Sequence, residues 1–416
     1  MRILLVTSGY PPERLGGAGL YVHYLALELA KRHEVHVFTV SRTGEGWEEN
    51  GIRYHAVPPV SSPLRALFID RTYKNGRVEK TFLKVLGEVE PDVVHFHNLW
   101  AFRTGLLPLL ASERGYPTVQ TLHDYWFICP INIMSFKKRT PCPGPEPARC
   151  SECWNHIMAS YLSRKSIPES ASTRILKPFN RPSRFASRNE LLLKVLGSVD
   201  VVIAPSNFLR TKFIEAGLDE EKVTHIRNGY PHSVFRGFKK RRNESRLVFG
   251  FIGVPSYQKG AHVAVKAAKF LEGNFELRIY GGGGDPDYVS KLKEFMGKDE
   301  RVKFMGRFED IRIPYSSIDV LLFPSLWYEN CPLVLAEAAL SKTPVVASNL
   351  GAIPEFVTHG KTGFLFAPGD FRDLARWMGV FLEHPELVEE FGRAQKPPED
   401  MGEHATRLLR VYKGLL

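Results

Sequence analysis

Two successive series of short apolar runs, alternating with amphipathic stretches, constrain this chain more than any other feature. The first series comprises Arg2–Ser8, Glu34–Val40, Ile52–Pro58, Asp92–His97, Thr118–Asp124, Asp200–Ser206 and Val223–Asn228. Helical periodicity fills the gaps, as in Gly19–Arg32 and Asn207–Ala216. A basic, polar stretch, Phe235–Arg246, interrupts the pattern and reads as a linker. The alternation then restarts with Leu247–Gly253, Phe275–Gly281, Val302–Gly306, Asp319–Ser325, Pro344–Ser348 and Gly363–Phe366. Runs rich in Val, Ile and Phe on both alternations are what a parallel sheet covered on both faces requires. The expectation is an α/β chain of two doubly wound domains, residues 1–244 and 245–400, with a final helix at 401–416 that crosses back to the first. Facing sheets of this kind leave an interdomain cleft at their carboxyl ends, where ligands bind.

Composition narrows the classes. With 416 residues, 44% of them apolar, the chain can fill two cores and is not of the disordered kind. No apolar run approaches the ~18 residues of a spanning helix, and Ile3–Val6 is too short for the core of a secretory signal. A cytoplasmic protein is expected. The net charge of +11 is unevenly placed: residues 134–195 carry twelve Lys or Arg against four Asp or Glu. Lys137, Lys138, Arg139, Arg164, Lys165, Arg174, Lys177, Arg181, Arg184 and Arg188 belong to that stretch. One reading is peripheral contact with an anionic membrane or substrate, whose pull fades with salt. The other, of equal weight, is a solvated and partly helical insertion. No nucleic-acid-binding motif accompanies the charge, so nucleic acid is not an expected partner.

The insertion, about residues 125–198, is too long for a plain connection and so has a task of its own. It holds four of the five cysteines: Cys129, Cys142, Cys150 and Cys153. Thiolates at such spacings are able to share one tetrahedral zinc and staple a loop that lacks a core. Free buried thiols or disulfides are the alternatives to a structural zinc site.

The most informative segment is Phe323–Ser341, FPSLWYENCPLVLAEAALS. A strand runs into a loop, and a helix is expected to begin at Pro332, whose φ is already set for a first helical position. The amides and dipole at that helix start suit a diphosphate. Glu329 precedes the helix and Glu337 lies within it. Two acids eight residues apart are common, and spacing alone favours two unrelated glutamates.

Context changes the weighing. Glu329 and Glu337, after Pro324-Ser325, resemble the E-x7-E signature of family 4 (group 1) glycosyltransferases, retaining enzymes of the GT-B fold with two Rossmann-like domains. The likeness spans essentially the whole chain. Gly16-Gly17-Ala18 before a helix, Asp92-Val-Val-His-Phe-His97, Thr121-Leu-His-Asp124, Asn228-Gly229, Gly253 with Lys259-Gly260, Gly351 with Glu355, and Gly360-Lys-Thr-Gly363 stand in the family's order. Each is weak alone; their order and spacing are not.

The resemblance implies transfer of a hexose-type sugar from a nucleotide-diphosphate sugar to a polysaccharide, lipid-linked or small-molecule acceptor, with no metal needed. Glu337 would hold the donor ribose, Glu329 the transferred sugar, and Lys259 the departing phosphate. A fixed ammonium there stabilises charge that grows as the glycosyl–phosphate bond breaks. Gly16, Gly17, Gly253, Asn330, Cys331, Pro332 and Leu333 would line the donor. His123 matches the histidine that contacts the transferred sugar. One departure stands out: Val254 occupies the position where many members carry an arginine paired with the phosphates, and Arg307 is the candidate to replace it. A sugar-nucleotide epimerase of the same fold and a non-catalytic sugar-nucleotide-binding protein remain alternatives.

Overall fold

The computed structural model describes residues 1–10, 16–60, 67–241 and 245–416. The chain divides into two compact units. Unit 1 comprises Met1–Lys138, Cys142–Gly229 and Asp400–Leu416; unit 2 comprises Arg139–Pro141 and Tyr230–Glu399.

Unit 1 is built on a sheet of β1 (Arg2–Val6), β2 (Glu34–Val40), β3 (Trp47–Glu49), β4 (Ile52–Val57), β5 (Val93–Phe96), β6 (Thr118–Thr121), β7 (Val201–Ala204) and β8 (Val223–His225). Their order is β8-β7-β6-β5-β1-β2-β4-β3. Every neighbouring pair is parallel except β3, which runs antiparallel to β4. The short edge strand β3 has no apolar run to betray it, and its exposed Glu48 and Glu49 discourage further pairing. Strands β5 and β6 are buried at all four residues. The helix Gly17–Ala30 follows β1, and the final helix, Met401–Lys413, packs against it. Tyr21, Leu25, Met401, Leu408 and Tyr412 thereby share one core with Ile3 and Leu5.

Unit 2 repeats the plan with β9 (Leu247–Ile252), β10 (Phe275–Tyr280), β11 (Val302–Gly306), β12 (Val320–Phe323), β13 (Val345–Ser348) and β14 (Gly363–Phe366). The order is β11-β10-β9-β12-β13-β14, all parallel. Ala264, Ala267 and Ala268 of the helix Ala261–Phe270 join Phe249, Leu277 and Val320 in its core.

One device recurs in both units. Asp92, just before β5, accepts the N–H of Arg2 at 2.7 Å. Asp200, before β7, accepts the N–H of Thr118 at 2.8 Å and its hydroxyl at 2.9 Å. Asp319, before β12, accepts the N–H of Val248 at 2.8 Å. Each carboxylate thus satisfies a first amide of the adjoining strand at the amino edge of the sheet. The Asp-Val pairs seen in the sequence are structural, and they leave the carboxyl edge for chemistry.

The insertion folds as three helices, Pro147–Ser163, Glu169–Leu176 and Pro182–Ser198. Two expectations need correction there. Arg188 is not part of a basic surface: it is fully buried and donates to the carbonyls of Trp126 and Phe127. Its guanidinium also lies over the rings of Tyr73 and Trp126, so it fixes the segment after β6. Of the alternatives for Cys129, Cys142, Cys150 and Cys153, the structure gives no support to a zinc site. All four are free thiols, and among the described residues no group of three or more His, Cys, Asp or Glu side chains is arranged to hold a metal. The Cys153 sulfur instead accepts the N–H of Lys137 at 3.1 Å, and the Cys142 thiol donates to Gly144 O at 3.4 Å. Burial pushes the thiols of Cys129 and Cys153 up to about 12 and about 11.

Candidate functional site

In unit 2 the strand order reverses between β9 and β12, so the loops after these two strands meet where an open parallel sheet binds ligands. The residues expected to carry chemistry emerge from those two loops. The loop after β9 leads to Lys259 and Gly260, and the loop after β12 to Glu329. They are pinned together by a backbone bond: Leu326 N donates to Gln258 O at 2.7 Å. Gly260 holds φ +72°, and a Cβ there would stand 1.9 Å from Pro324 O. Only glycine permits this approach.

Lys259 Nζ donates to Glu329 Oε1 at 2.6 Å. The same oxygen accepts from Ser325 Oγ at 3.0 Å and from Trp327 Nε1 at 2.7 Å. Glu329 is 6% exposed, a buried charge made tolerable by three donors. The Lys259 ammonium lies 5.1 Å from the centre of the Trp327 ring. Gly351 packs beneath this loop: its Cβ would meet Tyr328 Cα at 3.1 Å and Glu329 N at 3.4 Å. Ala352 N then donates to Glu329 O at 3.2 Å.

The next helix is Leu333–Leu340, with Pro332 as its N-cap in extended geometry (φ −71°, ψ 118°). The expected start at Pro332 is therefore one residue early; proline's fixed φ serves the cap position equally well. Glu337 is buried in this helix. Tyr230 donates to its Oε1 at 3.1 Å and Tyr315 to its Oε2 at 3.5 Å. Burial raises the Glu337 carboxyl to about 7, although the two tyrosine hydrogen bonds favour its charged form. Asn330 is buried, while Cys331 and Leu333 are partly exposed at the entrance to the helix.

Gly253, the residue after β9, has φ +153°, and its N–H donates to Tyr280 O at 3.0 Å. Val254 beside it is 49% exposed, so the absent arginine leaves an open surface position. Gly281–Gly284, four consecutive glycines after β10, crowd this loop: Cβ atoms on Gly281 and Gly284 would stand 1.9 Å from Gly253 O and 2.0 Å from Pro255 O. Arg307 lies across the glycine run, with Cγ 2.3 Å from a Cβ placed on Gly282. The exposed guanidinium of Arg307 is thus carried next to the loop that Val254 occupies.

In unit 1 the order reverses between β1 and β5. His97 follows β5 and His123 follows β6; His97 Nδ1 and His123 Nε2 share a hydrogen bond of 3.1 Å. His95 bonds to Tyr412 OH at 2.5 Å and to Thr121 Oγ1 at 2.8 Å, and Tyr21 OH to His404 at 2.7 Å. Burial lowers His123 to about 3, so its imidazole is neutral near pH 7. The adjacent Asp124 is raised by burial to about 6, against a hydrogen bond from Trp126 N at 2.8 Å. Gly16 caps the helix that opens at Gly17, whose first amides have no intrahelical acceptor. A cavity of about 320 Å³ lies by the carboxyl ends of β1, β2, β4 and β5, with Tyr10, Arg42, Trp100 and Arg103 in its walls.

Sequence reasoning missed several contributors. Tyr230 and Tyr315 reach Glu337 from 107 and 22 residues away, and no local pattern connects them. Ser325 and Trp327 stand four and two residues before Glu329, a spacing that was legible but unremarkable. The glycine run at 281–284 was the one plain signal overlooked, since consecutive glycines after a strand mark close backbone approach.

Residues 15–234 match the family described as Glycosyltransferase Family 4, and residues 236–397 match Glycosyl transferases group 1. An uncharacterized glycosyltransferase of Methanocaldococcus jannaschii is 27% identical over 390 residues, covering 88% of this chain and 85% of that protein. Glycogen synthase of Mycobacterium tuberculosis is 26% identical over 422 residues, covering 95% and 89%. The crystal structure of Anabaena HepE in complex with UDP matches with a TM-score of 0.70 at 20% identity over the whole of both chains. The fold is GT-B. Among the described residues no helix is long and apolar enough to cross a membrane.

Proposed function

The chain belongs to glycosyltransferase family 4, and from that premise we propose that it moves a hexose from a nucleoside-diphosphate sugar to a carbohydrate or lipid-linked acceptor with retention of anomeric configuration. Unit 2 binds the donor and unit 1 the acceptor. The observation that carries this reading is the Lys259–Glu329 pair at the reversal of strand order in unit 2. A carboxylate held by three donors keeps a second oxygen for sugar hydroxyls, and the ammonium beside it meets the charge that develops on the leaving diphosphate.

Glu337 accepts hydrogen bonds from the donor ribose in its ionised form. Amides at the start of Leu333–Leu340, with Asn330, Cys331 and Pro332 before it, receive the diphosphate from one side. Gly253 lets it approach the backbone, and Arg307 supplies the second positive charge that Val254 does not. From unit 1, Gly16 and Gly17 offer the free amides of a helix start to the donor phosphates. Neutral His123 hydrogen-bonds the transferred sugar and does not serve as its base; the leaving phosphate takes the acceptor proton on the same face. Trp100 and Tyr10 give the unit 1 cavity flat apolar walls against which a sugar ring stacks.

The UDP in the Anabaena structure makes uridine diphosphate sugars the first donors to try. The test is a panel of nucleotide sugars and acceptors, with NMR of the anomeric protons in the product. Retained configuration with acceptor-dependent release of nucleoside diphosphate supports the proposal. Inverted product removes retention, and donor epimerisation without acceptor assigns the chain to the epimerase reading.

A further inference from the structure

Beside the helix Pro147–Ser163 of the insertion lies a second cavity, of about 780 Å³, none of whose lining residues belongs to the proposed nucleotide-sugar site. It is bounded by the helix Pro147–Ser163, the helix Glu169–Leu176 and the segment that leads into Pro182. Four cations line it, Lys137, Arg174, Lys177 and Arg181, against one carboxylate, Glu152. That carboxylate is already engaged, 2.7 Å from Lys137 Nζ. Glu169, nearby, is engaged by His156 at 3.3 Å. Among the described residues Arg174, Lys177 and Arg181 have no ion-pair partner, so three unneutralised cations converge on one hollow. Like charges gathered this way cost self-repulsion that an anion would relieve.

The walls are rigid. Ser151 and Asn155 are 7% and 5% exposed where they line the cavity. Ser151 Oγ donates to Asn180 O at 2.5 Å, and Asn155 Nδ2 donates to Ser151 Oγ at 3.4 Å. Asn180, fully buried, donates to Asn155 Oδ1 at 3.1 Å and to Leu67 O at 2.9 Å, and accepts from Ile69 N at 3.0 Å. This network ties the helix Pro147–Ser163 and the segment before Pro182 to Leu67 and Ile69 of unit 1. Two guanidinium groups and an ammonium lining one hollow offer the donors that the oxygens of a phosphate group accept.

We propose that this cavity is a binding site for a phosphate-type oxyanion, separate from the nucleotide-sugar site of unit 2. The anion is carried by a free or acceptor-borne phosphate, or by a lipid headgroup.

Titration calorimetry with inorganic pyrophosphate at low salt tests it on three variants beside the wild type. Arg174→Ala/Lys177→Ala/Arg181→Ala should weaken binding at least tenfold. Arg164→Ala/Lys165→Ala, in the same insertion but outside the cavity, should leave it within twofold. Lys259→Ala should retain the cavity-dependent event whatever becomes of the donor site. Binding lost in Lys259→Ala and kept in the triple variant overturns the proposal, as does equal weakening by both arginine-containing variants or no binding at all. Sedimentation with phosphatidylcholine vesicles, with and without phosphatidylglycerol, separates the sources. Capture by anionic vesicles that the triple variant loses identifies the headgroup; pyrophosphate binding without vesicle capture identifies the soluble phosphate. Donor hydrolysis without acceptor should be the same in the triple variant and the wild type, so the fate of this site and of the transfer reaction are read independently.

Discussion

Lys259 Nζ and Glu329 Oε1, 70 residues apart in sequence, stand 2.6 Å apart where β9 and β12 end. The pair gives a glutamate only 6% exposed a charged partner, and it fixes the ammonium beside the indole of Trp327. Removing the ammonium leaves Glu329 held by Ser325 and Trp327, so the fold should survive while leaving-group stabilisation is lost. Lys259→Ala should lower kcat by about 10²–10³, the cost of one electrostatic stabiliser of a developing oxyanion. Steady-state release of nucleoside diphosphate measures it, with circular dichroism to show an intact fold. A kcat within threefold of the wild type would refute the role.

The donor-ribose role proposed for Glu337 carries a pH signature. Its carboxyl is raised by burial to about 7, yet ribose hydroxyls require the ionised form. Below pH 7 the bound donor must therefore displace a proton, and affinity should fall as pH falls through that value. Calorimetry at pH 6 in two buffers of different ionisation enthalpy should register net proton release, absent in Glu337→Gln. Tyr230→Phe, which removes a hydrogen bond to the charged form, should move the inflection upward. Identical heats in both buffers would contradict the assignment.

The buried histidines make unit 1 acid-labile. His95 and His97 are held well below the ordinary imidazole range by burial; His123 falls to about 3 and His404 to about 4 for the same reason. Each folded value lies below the unfolded value of about 6.5, so the unfolded chain binds more protons across that interval. Their full stabilising contribution is present above about pH 6.5 and is lost as pH falls toward 4. Thermal melting should show Tm nearly constant from pH 8 to 7 and dropping steadily below 6.5. A flat profile down to pH 4 would mean these rings accept protons without unfolding.

Gly260→Ala should damage both stability and activity. The residue sits at φ +72°, and its Cβ would overlap Pro324 O. Left-handed backbone alone costs an alanine roughly 1–2 kcal/mol, and relief of the overlap separates the two loops that align Lys259 with Glu329. A Tm fall of about 5 °C or more is expected, together with reduced turnover. Unchanged turnover would show that loop contact does not govern the alignment.

Val254→Arg offers the opposite direction. The side chain is 49% exposed beside Gly253, so the longer residue fits without repacking. A second cation near the diphosphate should lower the donor KM several-fold, equivalent to about 1 kcal/mol. Arg307→Ala should raise it. If neither variant shifts KM, the diphosphate lies away from this loop.

Much of the architecture was legible because parallel strands covered on both faces leave long Val- and Ile-rich runs. Each run expected as a strand contains one, trimmed at the ends where residues such as Asp92, Asp200 and Asp319 turn to capping. The edge strand Trp47–Glu49 carried no such run and was missed. Candidate residues near one another in sequence, such as Glu329 and Pro332, were identifiable from the loop-to-helix pattern. Partners brought by topology were not: Tyr230 and Tyr315 around Glu337, or Tyr412 on His95. The cysteines misled for the same reason. Spacing bounds how close thiols are able to come, whereas burial and backbone donors such as Lys137 N decide what each sulfur does.

The sequence by itself determined the strand and helix periodicity, the family and the charged groups proposed for sugar transfer, since these follow from local pattern and residue chemistry. Only the tertiary structure decided which charges meet. It joined Lys259 to Glu329, drew Arg188 into the core, and left Arg174, Lys177 and Arg181 around an unneutralised hollow. The physical reason is that ionisation, hydrogen bonding and the cost of burial depend on neighbours within a few ångströms, and in a parallel sheet those neighbours come from strands far apart along the chain.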